Sequence, residues 1–323
     1  MWIFLGAILS LLIGCSAFDE CLPVTAADLT VLPAHLSDSG LFAPGTQSLA
    51  PNVRPYAPAF ELWSDGAVKR RWIWLPPGAA IDASDPDDWQ FPAGARLWKE
   101  FTRDGVRVET RLLLKTGAGE GDWVGAAYAW AGDDAVLTAE GVEDALGTEH
   151  DVPAAERCFG CHVGRKSRVL GFSAIQLANS AGPLTLADAA AAGMLSAPPQ
   201  DALKLPGSPT DQKVLGLLHA NCSHCHNQVR PAGMGPRCFD PQKEIDLALH
   251  AATLGDFGQT GLARTVIGKS VKPGNAAGSK LFQLYTHRGP PGLFGPSQMP
   301  PLATEKVDAA SAQLLESWIG SLP

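Results

Sequence analysis

The stretch SPTDQKVLGLLHANCSHCHN, residues 208–227, decides how the second half of the chain folds. Ser208 suits a helix N-cap, Pro209 the first helical position, and Asp211 the first turn, where it complements the helix dipole. Val214, Leu217 and Leu218 then supply an apolar face at helical spacing. The predicted helix runs straight into Cys222. At the far end of the chain, residues 303–322 (ATEKVDAASAQLLESWIGSL) place Val307, Leu314, Leu315, Trp318, Ile319 and Leu322 on one helical face.

Cys222-Ser-His-Cys225-His226 has a twin upstream, Cys158-Phe-Gly-Cys161-His162. C-x-x-C-H is the attachment motif for c-type haem. The i, i+3 spacing brings both sulfurs to one helical face, where they can add to the two vinyl groups of a porphyrin. The following histidine is then placed to ligate iron. With 7 Cys and 8 His in 323 residues, chance supplies on the order of 0.004 copies of this pentapeptide, so two copies carry information. Zinc is the competing reading, but the gap between the two Cys pairs far exceeds the spacing of a zinc ribbon. A dithiol redox motif would want a thioredoxin-like βαβ setting, and none is visible. Two covalently attached haem c groups are therefore expected, bound through Cys158, Cys161, Cys222 and Cys225, with His162 and His226 on the irons.

For the second haem, the segment GPSQMPPLAT, residues 295–304, resembles the distal-methionine loop of class I cytochromes c. It puts Met299 among prolines just before the last helix, and a Met/His pair raises the iron potential. The resemblance implies a class I cytochrome c-like unit over 205–323, whose first and last helices cross. His219, His224 and Met234 read as bystanders. For the first haem, His150 or Met194 is the expected sixth ligand, with His35, His250 or an open position as alternatives. The basic stretch GRKSR, 164–168, reads as a solvated run, with haem propionates or a redox partner as its other uses.

The region before the first motif differs in character. Seven of nine tryptophans fall between Trp63 and Trp130. RRWIWLP has the two-residue period of a strand. ARLWKEFTRDGVRVETRLLLKTG reads as two strands joined at Asp104-Gly105, a strong hairpin signal, and WVGAAYAWAGDDAVL adds another. The expected fold is α+β and multidomain: a β-rich sandwich or barrel over 56–150, then a mainly α-helical haem-binding region beginning with a first haem segment at 151–204.

The first fourteen residues, MWIFLGAILSLLIG, are apolar but short of the roughly 20 residues a spanning helix needs. Leu12-Ile13-Gly14-Cys15 resembles a bacterial lipobox, which implies a signal peptide over 1–14 and lipidation at Cys15, although no basic residue precedes the apolar run. Residues 15–55 then form a tether and extended segment. The expectation is an exported lipoprotein, periplasmic or at the cell surface, held to a bacterial membrane by lipid. An oxidising compartment permits a disulfide between Cys21 and Cys238, whose separation the sequence leaves open. A net charge of −8 leaves no basic surplus for nucleic acid.

FELWSDGAVKRRWIWLP, FPAGARLWKEF and VETRLLLK, followed by CFGCH and LHANCSHCH, resemble bacterial diheme c-type cytochromes with a β-rich domain ahead of the haem motifs. The resemblance runs from about residue 58 to the C-terminus and implies electron transfer. The first reading is thus a relay passing single electrons between redox partners, such as an exported dehydrogenase and a terminal acceptor, rather than an enzyme. A diheme peroxidase with an open first haem is the runner-up. The motifs' separation of only 64 residues and the β-rich domain count against it. A ligand-binding β-domain with accessory haems is the third reading.

Overall fold

Ile73, Leu97, Leu113 and Gly125 stand directly opposite one another on four consecutive strands, as do Trp72, Trp98, Leu112 and Ala126. Because strand side chains alternate, these two rows face opposite sides of one sheet. The computed structural model describes residues 28–229, 245–289, 298–301 and 304–323. Its sheet has six antiparallel strands in sequence order: β1 (Arg54–Tyr56), β2 (Val68–Trp74), β3 (Arg96–Arg103), β4 (Val106–Lys115), β5 (Trp123–Ala131) and β6 (Asp134–Thr138). The β3–β4 turn is the predicted one. Asp104 and Gly105 both take positive φ, +50° and +83°, as a two-residue turn of type I′ requires.

The mixed α+β class holds. The expected sandwich or barrel is replaced by a single open sheet, because other parts of the chain cover both faces. Leu32, Leu36, Leu41, Phe42 and Val53 pack on the Trp72–Trp98 face, so the segment from Leu29 onward belongs to a core. There Tyr128 Oη donates to the Pro33 carbonyl at 3.0 Å, and Trp98 Nε1 to Ser39 Oγ at 3.1 Å. The Ile73–Leu113 face shares a second core with the helical half, including Val214, Leu218, Leu315 and Trp318.

Among the described residues the helices are short except two: α1 (Cys158–His162), α2 (Ala174–Ala178), α3 (Leu186–Ala191), α4 (Pro209–Asn221), α5 (Gly261–Thr265), α6 (Lys280–Thr286) and α7 (Ala309–Ser321). Helix α4 begins at the N-cap expected of Ser208, and Asp211 reaches back to complete a capping box with it. It packs against α7, where Leu315, Trp318 and Ile319 are buried. Trp318 Nε1 donates to Asp211 Oδ1 at 2.8 Å, so the last helix also ties down the cap of α4. Gly216 permits the closest approach on α4: a Cβ there would lie 2.1 Å from the Phe60 ring.

Among the described residues, no helix is long and apolar enough to cross a membrane. The apolar leader 1–14, Cys15, Cys21, Met234 and Cys238 lie outside the described residues.

Trp318 carries both packing and a charge-assisted hydrogen bond. Trp318→Ala is expected to lower the unfolding free energy by about 3–5 kcal/mol, and Trp318→Phe by about 1–3 kcal/mol through loss of the bond and part of the ring's packing. Denaturant unfolding measures both, and equal losses in the two variants would contradict the assignment.

Candidate functional site

A cavity of about 620 Å³ lies between the Ile73–Leu113 face of the sheet and the helical half. Helix α1 delivers Cys158, Cys161 and His162 to its wall from a single turn. Cys158 sits over β5 at Gly125, where a Cβ would come within 3.3 Å of its own Cβ. The missing side chain at Gly125 makes room for the helix. None of the four described cysteines is in a disulfide. Burial raises the Cys158 thiol above its ordinary range and pushes Cys222 up to about 12.

His162 is arranged as a ligand would be. Its Nδ1–H donates to the Arg168 carbonyl at 2.6 Å, which leaves Nε2 as the lone-pair nitrogen. Burial pulls the imidazole down to about 4, so it is neutral. Arg168 takes a left-handed φ of +59°, and its guanidinium donates to the carbonyls of Val163 and Arg165, which closes the loop that presents this acceptor.

The second motif follows α4 directly, with the His226 amide bonded to the Cys222 carbonyl. The two motifs touch. A Cβ at Gly164 would lie 1.6 Å from the His224 carbonyl oxygen, so only glycine fits there. Asn227 Nδ2 donates to the Gly164 carbonyl at 2.9 Å, and Arg165 donates to Ser223 Oγ at 2.8 Å. Part of GRKSR is thus not a solvated run, because Arg165 joins the two motifs. His219 of α4 and His224 of the second motif line the cavity that holds the first. Burial keeps His219 neutral, and its Nδ1 accepts from the Leu249 amide.

Of the two residues expected opposite His162, His150 lines the cavity and Met194 does not. His150 Nε2 lies 2.8 Å from Glu109 Oε1. Met194 is buried in the apolar core, its carbonyl accepting from the Ile81 amide. Met299 is half-buried, and its amide donates to the Leu284 carbonyl at 2.8 Å. His35 is at the sheet's far edge, 3.3 Å from Asp134.

The FELWSDGA segment, which the sequence left without a role, stitches the two halves together. Gln176 bonds both the amide and the carbonyl of Phe60, and Asn221 accepts from the Trp63 amide. Asp65 accepts from Thr304 Oγ1 and the amides of Glu305 and Lys306.

Sequence reasoning also missed a polar row on the cavity wall. Arg71, Lys99 and Arg111 stand opposite one another on β2, β3 and β4. Their signal was present in the alternation of K-R-R-W-I-W, L-W-K-E-F and E-T-R-L-L, and only the strand register lines it up. Beside them, burial alone would raise the Glu109 carboxyl, but Arg111 and His150 outweigh it and hold Glu109 below its ordinary value.

No family model, curated protein or solved structure matches the chain. Among the described residues, no three Cys, His, Asp or Glu side chains converge as a metal site, so the described cysteines do not form a tetrahedral thiolate cage. Two thiols and a neutral imidazole on one turn, facing a cavity of this size, suit a tethered porphyrin.

Beside the cavity, His250 bridges Asp246 at 3.4 Å and Asp87 at 3.5 Å. Hydrogen bonds to these two carboxylates raise it from its ordinary 6.5 to about 9. A folded value above the unfolded one contributes stability that is fully present below pH 6.5 and lost as pH rises through about 9. The stability difference between the wild type and His250→Gln is therefore expected to be constant in mild acid and to shrink across that window. A difference that grows with pH would contradict the bridge.

Proposed function

We propose that this chain is a diheme c-type cytochrome that relays single electrons between redox partners. The observation that carries it is α1, where one helical turn brings Cys158, Cys161 and a neutral, carbonyl-anchored His162 to the same cavity. Cys158 and Cys161 would hold the first haem by thioether bonds, the thiol hydrogen and sulfur adding across each vinyl double bond. Cys222 and Cys225 would hold the second. His162 and His226 would be proximal ligands. When bound, each haem supplies a one-electron iron couple.

The chain's own residues prepare the relay. Arg165, Asn227 and Gly164 hold the two motifs in contact, which keeps the two attachment sites adjacent. Helices α4 and α7 are read as the first and last helices of a class I cytochrome c-like unit over 205–323, with Met299 as its sixth ligand. His150, on the cavity wall, is the preferred sixth ligand of the first haem over Met194. The leader ending at Cys15 supports export and a lipid anchor that would place the relay at a bacterial membrane. The partners are then an exported dehydrogenase or a terminal acceptor.

One feature favours a second reading. Buried Glu109 joins His150 and Arg111 of the cavity wall in one connected acid–base group. Such a group suits proton delivery in a peroxidase, where H₂O₂ takes up two electrons and two protons to give two waters.

Maturation in cells with c-type attachment machinery tests the proposal. Intact mass is expected to show two haems, and Cys158→Ser with Cys161→Ser to leave one. Zinc in place of haem would overturn the reading. Met299→Ala is expected to lower one midpoint potential and abolish the Met–iron charge-transfer band. Peroxide turnover lost in Glu109→Gln would favour the second reading.

A further inference from the structure

The Arg71–Lys99–Arg111 row is costly for a sheet. Adjacent strands lie about 4.7–4.9 Å apart, so three cations stand in a line of about 10 Å. Like charges directly opposite one another destabilise an antiparallel pair. All three side chains nevertheless line the cavity that contains Cys158, Cys161 and His162.

Their counter-charges are incomplete. Glu61 accepts from Arg71 at 2.8 Å and also lies 3.6 Å from Lys69, on the same face. Glu109 is held by Arg111 through two hydrogen bonds of 2.9 and 2.6 Å. Among the described residues, no carboxylate lies within ion-pair distance of Lys99, whose ammonium instead stands 4.6 Å from the Phe101 ring centroid. Burial, and then Arg71 and Arg111, push that ammonium well below its ordinary range. Of the three cations in the row, Arg71 and Arg111 each have a carboxylate partner and, among the described residues, Lys99 has none.

The direction of the row matters as much as its charge. Cys158 sits at β5, over Gly125. From there the row begins on the neighbouring strand, β4, and continues through β3 to β2. It leads away from the point of attachment across the cavity wall. A porphyrin tethered through its vinyl groups carries its two carboxylates on the edge remote from them.

We propose that Arg71, Lys99 and Arg111 form a binding site for a pair of carboxylates, filled by the propionates of the haem attached at Cys158 and Cys161. The assignment rests on the function proposed above and adds to it a specific seat for the first haem, with Lys99 as the cation held for the ligand. A free dicarboxylate is the other source of the same chemistry.

Lys99→Gln, in the chain matured with haem, separates these cases. The substitution relieves like-charge repulsion, so folding and a haem count of two by intact mass are expected to persist. Removing a cation beside the porphyrin favours the more positive oxidised iron. One midpoint potential is therefore expected to fall by on the order of a tenfold shift in the reduction equilibrium, about 59 mV for one electron. The other potential stays, and Lys99→Arg restores the first. Unchanged potentials in a chain carrying two haems would overturn the propionate assignment alone. Succinate binding to the wild type that Lys99→Gln abolishes, with potentials unmoved, would give the row to a free carboxylate and also overturn it. A wild-type chain without haem would overturn the functional reading itself.

Discussion

The register of the four central strands is the constraint on which the site depends. Ile73, Leu97, Leu113 and Gly125 share one row, and Arg71, Lys99, Arg111 and Ala127 share the next on the same face. A slip of one residue in any strand would exchange its faces. It would turn Trp72, Trp98 or Leu112 into the cavity and send a cation into the apolar layer under residues 29–53. Both faces are covered by different parts of the chain, so neither tolerates the exchange. The register thereby places the seat for α1 at Gly125 and the charged row beside it.

Besides the shared apolar core, polar side chains acting on backbone join the two halves. Gln176 pairs with both polar groups of Phe60, and Asn221 does much the same at Glu61 and Trp63. These amides give partners to an extended segment that has no neighbouring strand, and so satisfy groups that would otherwise be costly to bury. Asn221 is also the last residue of α4, immediately before Cys222. The sheet domain therefore grips the chain at the threshold of the second motif. Asp65 grips it again at residues 304–306, between Met299 and α7. The β-rich half thus holds the helical half at the end of α4 and again just before α7.

Local signals explain which parts of this were legible in the sequence. The Ser208–Asp211 cap, the Asp104-Gly105 turn and the strand alternation are interactions within a few residues, and each was read where it occurs. The C-x-x-C-H repeats were equally local. The single sheet was not legible, because whether strands close on themselves depends on what else can cover them, and Leu32 to Val53 carry no strong period of their own. The contact between the two motifs was hidden for the same reason. Gly164 and Arg165 look like part of a basic loop until His224 and Ser223, some sixty residues on, are brought against them.

The charged wall of the cavity follows from the same logic of partners. Folding that buries cations must offset the loss of hydration, and an ion pair does so only with good geometry. Arg71 and Arg111 meet that condition through Glu61 and Glu109. Lys99 does not, and an apolar residue between Phe101 and Leu97 would have been the more stable choice for the sheet alone. A side chain that costs stability in the bare protein is accounted for when a ligand completes it. Across the cavity, α1 supplies two thiols and a neutral imidazole. A ligand that reacts with thiols at one edge and brings carboxylate to Lys99 at the other would satisfy both walls at once, and the same two features would set its orientation in the cavity.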